Sequence, residues 1–277
     1  MTKRTLLNPD PVDLGNAWRA QVEAEYEQVE RLREWHESDY YAPIAHHFAD
    51  DPRRTDDELL NELRAMSNPN ATWLDIGAGG GRYALPLALS SRKVIAIDPS
   101  EGMLNVLRGS MAEHGIDNID IHHLRWPEGS DELQADFSLA AHVGYDIRDI
   151  NGFLDGMDRT TSQRCCVVLM DRAPSGGFTR LWHQIHGEYR HQLPGAREFL
   201  HLLLARGAMP EVRLTWRQMR PMGHDDIRES ARRRLWLSEG SEKDQHLQRL
   251  LAEMPEGLDD FQLPSVIALI TWQPRPA

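Results

Sequence analysis

Cysteine is nearly absent. Cys165 and Cys166 are the only two in 277 residues, and they are adjacent. Neighbours in an extended strand point to opposite faces, so a disulfide framework is excluded and a reducing cytoplasm is the expected location. Long apolar runs are missing too. None nears the roughly 18 residues of a membrane span, and the polar stretch Met1 to Asp10 lacks the apolar centre of a secretion signal. Positive charge is in deficit. Lys and Arg number 31 against 43 Asp and Glu, a net charge of −12 that disfavours nucleic acid and anionic membranes as partners. No internal repeat or low-complexity tract occurs. What remains is a soluble globular composition, 40% hydrophobic and 27% charged. A chain this long buries about 75% of its extended surface and needs no covalent staples.

The organisation changes along the chain. Residues 1–54 read as an N-terminal helical lid. Ala17 to Glu37 lacks Gly and Pro and carries Trp18, Val22, Tyr26, Val29, Leu32 and Trp35 at helical spacing. Thr55-Asp56-Asp57-Glu58 then reads as a capping box opening a helix. Residues 55–277 read as one sheet domain. Expected strands are Trp73 to Gly77, Lys93 to Ile97, Ile119 to His123, Phe137 to Ala141 and Cys165 to Met170. Expected helices between them are Arg82 to Leu89, Ser100 to His114 and Asp149 to Arg159. This alternation predicts an α/β, doubly wound, mostly parallel sheet of Rossmann-like type. Beyond it lie helical inserts near 175–192 and 224–257, a helix Ala196 to Arg206, and strands Val212 to Met219 and Ser265 to Trp272.

The most informative stretch is Leu74-Asp75-Ile76-Gly77-Ala78-Gly79-Gly80-Gly81-Arg82. Glycines between strand and helix permit a sharp turn and let backbone N–H groups approach a ligand. The dinucleotide fingerprint fails because its sixth position is Arg82, and the P-loop fails because no Gly-Lys-Ser/Thr follows. Asp75 precedes the glycines, an anion that opposes pyrophosphate and suits a cationic ligand. Asp98 ends the next strand, where a carboxylate can accept both hydroxyls of a ribose. Together they fit a nucleoside across the carboxyl edge of the sheet.

In these residues, in Val94 to Ser100 with Met103-Leu104, and in Ala135 to Val143, the sequence resembles the class I S-adenosylmethionine-dependent methyltransferases. The resemblance covers about residues 70 to 175 and the final strands more loosely. It implies the Rossmann-like fold with helical additions and S-adenosylmethionine as cofactor, with S-adenosylhomocysteine as product. By the same resemblance Asp75 and the backbone of Gly77, Gly79 and Gly81 would hold the methionine part, Asp98 the ribose, and Pro99 and Met103 would flank the adenine. Where such enzymes often place an acid after the third strand, this chain has Leu124-Arg125-Trp126-Pro127. Trp126 would either cover the adenine or anchor its loop to the core. Ala141 would line the cofactor site at the end of the fourth strand.

Methyl transfer needs an acceptor placed in line, and a base only if the acceptor loses a proton. His142 and Tyr145, where the fourth strand opens, are the candidate catalytic residues. Asp146 and Asp149 suit helix capping better. His183 and His186 could line a pocket, but no third ligand is fixed and no metal is expected. His46 and His47 are open in the same way, while Tyr40 and Tyr41 stay open between a lid and core packing. Arg232-Arg233-Arg234 diverge around a helix, with a Glu229 to Arg233 pair expected. The favoured function is methyl transfer to a small molecule in a pocket roofed by the helical additions. The alternatives are a protein or RNA methyltransferase, or a cofactor-binding sensor or scaffold without catalysis. The N-terminal helix could also pair two copies into a homodimer.

Overall fold

The computed structural model describes residues 9–36, 50–173, 178–216, 224–253 and 266–275. His46, His47, Tyr40 and Tyr41 lie outside them. Seven strands form one sheet: β1 (Thr72–Ile76), β2 (Lys93–Asp98), β3 (Ile119–His123), β4 (Ala135–Ala141), β5 (Thr161–Met170), β6 (Glu211–Trp216) and β7 (Val266–Trp272). Their order is β3-β2-β1-β4-β5-β7-β6, with β7 antiparallel to both its neighbours and the rest parallel. The chain leaves β1 in one direction and returns at β4 in the other, so a crevice opens at their carboxyl ends.

The central strands β1, β2, β4, β5 and β7 carry near-continuous apolar runs buried on both faces, as a helix-covered sheet requires. One face packs α2 (Glu58–Met66), α3 (Ala84–Ala88) and α4 (Glu101–His114) on Trp73, Val94, Phe137 and Cys166. The other packs α1 (Pro11–Leu32), α5 (Ile150–Thr160) and α7 (Ala196–Ala205) on Leu74, Ile95, Cys165 and Trp272. Cys165 and Cys166 thus face opposite layers, and burial raises both thiol pKa values, which makes them poor nucleophiles.

A third apolar cluster joins the additions. Leu181, Trp182 and Ile185 of α6 (Thr179–His186), Ile227 and Ala231 of α8 (His224–Arg234), and Leu247 and Leu251 of α9 (Glu242–Ala252) bury one another. Val29 of α1 joins them, while Trp18, nearer the start of that helix, packs edge-on to Phe199 at 6.4 Å. So α1 spans from the sheet layer to the additions.

Local chemistry moved several boundaries. The first helix starts at Pro11, not Ala17, because Asp10 caps it by accepting from Val12 N and proline suits the first helical position. It stops at Leu32, which leaves Trp35 outside to pack against Trp236, ring centroids 4.7 Å apart and the planes tilted by 34°. The cap of α2 is Asp57, whose carboxylate accepts from Leu60 N, and not Thr55. Ser100 and Asp149 cap α4 and α5 as expected. The Arg232-Arg233-Arg234 run does diverge, but Glu229 pairs with Arg232 three residues on, not with Arg233, which lies over the Trp35 ring.

Candidate functional site

The site begins with register. Asp75 pairs with Ala96, and partners on parallel strands point to the same side of the sheet. Asp98 lies two residues beyond Ala96, so the period of two turns both carboxylates to one face. Asp75 is 2% exposed and Asp98 is also buried. Burial, with the Asp98 charge as the second cause, pushes the Asp75 carboxyl up to about 7, against the opposing effect of a hydrogen bond from the Ala84 backbone.

The turn between them is well tied. Gly77, Gly79 and Gly81 have φ of 73°, 54° and 90°, a region that favours glycine. Gly77 N and Ala78 N both donate to Ile97 O, at 2.7 and 2.9 Å, and Gly81 N donates to Ala78 O. Gly79 N donates to Asp98 Oδ2 and Ser100 N to Asp98 Oδ1, each at 2.8 Å. These N–H groups are therefore spent inside the protein, and the loop contributes bare backbone more than a nest of donors. A Cβ on Gly77 would stand 2.4 Å from Val143 Cγ2, and one on Gly81 2.5 Å from Leu107 Cδ1. Those two glycines admit the protein's own side chains. At Gly79 a Cβ would meet, among the described residues, just the end of Met103 at 3.8 Å, so this is where a guest could approach the backbone.

Other expected residues lie around this point. Met103 is buried at the start of α4, Pro99 is exposed at the β2 tip, and half-buried Ala141 ends β4 beside Val168. Trp126 is placed differently. Its ring is buried against Gly156 and Phe153 of α5, and its indole N–H donates to Phe153 O at 3.2 Å. That is the loop-to-core anchor, because a ring so enclosed has little face left for an adenine. His123, whose position in the sequence marks only the end of a strand, has Nε2 3.0 Å from Pro99 O and borders the same edge.

After β4 the chain turns sharply. His142 is half-buried with a φ of 58° and donates its N–H to Val168 O at 2.8 Å. A positive φ at a non-glycine residue is uncommon, and histidine is among the residues that tolerate it. Tyr145 is buried, and its hydroxyl accepts from Met170 N at 2.8 Å, which clamps this loop to the end of β5. Trp18 Nε1 donates to Ile147 O, so α1 holds the same loop. His183 stacks on Tyr189, and His186 Nε2 lies 3.0 Å from Leu235 O, with burial lowering its pKa to about 4.

The arrangement offers two paired carboxylates, a side-chain-poor turn and a half-buried histidine at one sheet edge. Comparison with known proteins agrees with the fold. Residues 74–163 match a family model described as a methyltransferase domain. An uncharacterized protein of Haemophilus influenzae is 31% identical over 99 residues, 35% of this chain and 36% of its own length. The chain thus matches about a third of that relative. A Bacillus halodurans C-125 protein described as a candidate methyltransferase superposes with a TM-score of 0.55 at 16% identity, over 78% of this chain and 98% of its own. The N-methyltransferase NodS of Bradyrhizobium japonicum WM9, solved with S-adenosyl-L-homocysteine, superposes with a TM-score of 0.50 at 14% identity, over 86% and 100% of the two chains. At such identities the superpositions establish the fold alone. Residues 74–163 thus resemble a methyltransferase domain, carried on a Rossmann-like α/β fold that the chain shares with these proteins.

Proposed function

We propose that this protein transfers a methyl group from S-adenosylmethionine to a small-molecule acceptor, in a pocket roofed by α1 and the helical additions. The observation that carries this reading is the Asp75–Asp98 pair on one face, beside the open backbone of Gly79. Two buried carboxylates repel each other when both ionise, and a ligand with cationic groups relieves that repulsion. Asp98 retains lone pairs for ribose hydroxyls while it accepts from Gly79 and Ser100.

The cofactor, when bound, supplies an electrophilic methyl whose bond to sulfur breaks as an acceptor lone pair replaces it. The chain's own task is placement. Asp75 and Asp98 orient the nucleoside, the loop admits it, and Met103 packs beside it. His142 stands at the β4 tip, where it could take a proton from an acceptor that must lose one. The separate apolar cluster of α6, α8 and α9, joined by α1, gives the roof a packing of its own. A net charge of −12 disfavours nucleic acid as the acceptor.

Isothermal titration with S-adenosylmethionine and S-adenosylhomocysteine tests the cofactor half. Micromolar binding is expected, and no binding below millimolar overturns the reading. A cell extract treated with methyl-labelled cofactor tests the acceptor half. Label in the small-molecule fraction supports it, and label confined to protein or RNA reassigns the substrate.

A further inference from the structure

The carbonyl of Arg82 has a problem that the sequence makes and the structure solves. In a helix that carbonyl accepts from the N–H four residues on, as Gly81 O does from Leu85 and Tyr83 O from Leu87. For Arg82 the fourth residue on is Pro86, which has no N–H. Arg54, 28 residues earlier, fills the gap: its Nη2 donates to Arg82 O at 2.9 Å. Its side chain is 6% exposed and sits within a cluster of two cations and two anions. Arg54 lies 3.6 Å from Asp50 and 3.5 Å from Asp57, while Arg82 lies 2.5 Å from Asp50 and 3.1 Å from Asp57. Both guanidinium groups lie about 6 Å from the buried Tyr83 ring centroid, at 6.0 and 5.9 Å. Arg64 of α2 fixes the segment in turn, donating to Pro52 O and Arg54 O at 2.6 Å each.

We propose that Arg54 is a positioning residue for the cofactor loop, holding the end of the Gly77–Arg82 turn in place of the donor that Pro86 lacks. The inference rests on the cofactor reading above. A turn of Gly-Ala-Gly-Gly-Gly is costly to order because glycine has so many alternatives. Its start is tied to Ile97 and its middle to Asp98. Arg54 supplies the third tie, so the ordering is complete before a ligand arrives and does not have to be met from binding energy.

The test uses calorimetric affinity for S-adenosylhomocysteine and amide exchange at residues 77–83 of the full chain. Arg54→Gln should bind about tenfold more weakly, the loss of one charge-assisted hydrogen bond, with faster exchange across the turn. Adding Pro86→Ala restores a backbone donor to Arg82 O, so the double variant should regain most of the affinity and protection. Arg206→Gln removes a similarly buried arginine, paired with Asp155 and Asp158 of α5, and should lower thermal stability without changing affinity. If Arg54→Gln does not fold, Arg54→Lys keeps the charge and one donor and should fall between wild type and the loss expected for Gln. A wild-type protein that binds no S-adenosylhomocysteine overturns the cofactor reading itself. A wild type that binds, with Arg54→Gln or Arg54→Lys unchanged, or with no recovery from Pro86→Ala, overturns the positioning role alone.

Discussion

Asp98, at the tip of β2, and Gly79, in the turn after β1, are joined by a 2.8 Å hydrogen bond from the glycine N–H to the carboxylate. The acid expected to hold a ribose is therefore also a strut of the turn beside it. Its burial and its two backbone donors make it part of the fold as well as of the site.

Asp98→Ala should weaken S-adenosylhomocysteine binding by about 1–3 kcal/mol and also cost about 1–2 kcal/mol of stability, because Gly79 N and Ser100 N lose a charged acceptor. Asp98→Asn keeps one carbonyl acceptor and should recover part of the stability but little of the binding. Titration calorimetry and urea unfolding on the same samples check both numbers. Normal cofactor affinity in Asp98→Ala would mean that another acid holds the ribose.

Asp75 should make cofactor binding pH-dependent. Its folded pKa of about 7 lies above the ordinary 3.8, so the empty protein prefers it protonated. Its contribution to stability is full below about 4 and is lost as pH rises through 7. A cationic ligand favours the ionised form, so binding releases a proton and affinity should rise with pH. The rise is up to about tenfold per unit below 7 and flattens above. The sulfonium adds a charge that the thioether product lacks, so S-adenosylmethionine should respond more steeply than S-adenosylhomocysteine. Calorimetry in buffers of different ionisation enthalpy counts the proton released. Asp75→Asn should abolish the release and stabilise the empty protein above pH 7.

Gly77 and Gly79 separate packing from ligand access. Gly77→Ala puts a methyl 2.4 Å from Val143 at a φ of 73°, and should cost about 2–3 kcal/mol, of which the left-handed backbone accounts for about 1–2. Val143→Ala in the same protein should return the steric part and leave the backbone part. Gly79→Ala meets no such clash and should lose only the backbone part in stability, yet bind S-adenosylhomocysteine at least tenfold more weakly because its methyl enters the open side of the turn. Equal effects on binding at both positions would count against Gly79 as the point of approach.

The sheet was legible because its strands are short apolar runs with an acid at two of their tips. Asp75 and Asp98 could be paired as acids at the ends of successive strands, and their shared face follows from the register of β1 on β2. Helix starts were less legible where two caps competed, as Thr55 did with Asp57. The loop's amides could not be read as internally committed, because Ile97 O and Asp98 reach them only once β2 lies beside β1. Arg54 left no periodic signal at all. The clue was Pro86, four residues after Arg82, a carbonyl orphaned by a missing donor. Trp126 illustrates the limit of a residue read by type: an aromatic beside an adenine site and an aromatic anchoring α5 look the same until Gly156 is found beneath the ring.

Tyr145 and His142 stand three residues apart on the loop after β4, and their surroundings separate their roles. The Tyr145 hydroxyl accepts from the buried Met170 N–H, so Tyr145→Phe leaves that donor unsatisfied and should cost about 1–3 kcal/mol of stability. If the clamp is its whole function, methylation by the folded variant in extract should stay within about threefold of wild type, which is about 0.65 kcal/mol. His142 is half-buried with a φ of 58°, and asparagine tolerates that backbone, so His142→Asn should fold normally. Where the acceptor must shed a proton, the loss of this base should slow methyl transfer by about a hundredfold or more. Cofactor affinity should hold, which separates this loss from a loss of binding. Full activity in His142→Asn would show an acceptor that reacts through a lone pair already free, such as a neutral amine or a thiolate, and would leave placement as the whole of catalysis.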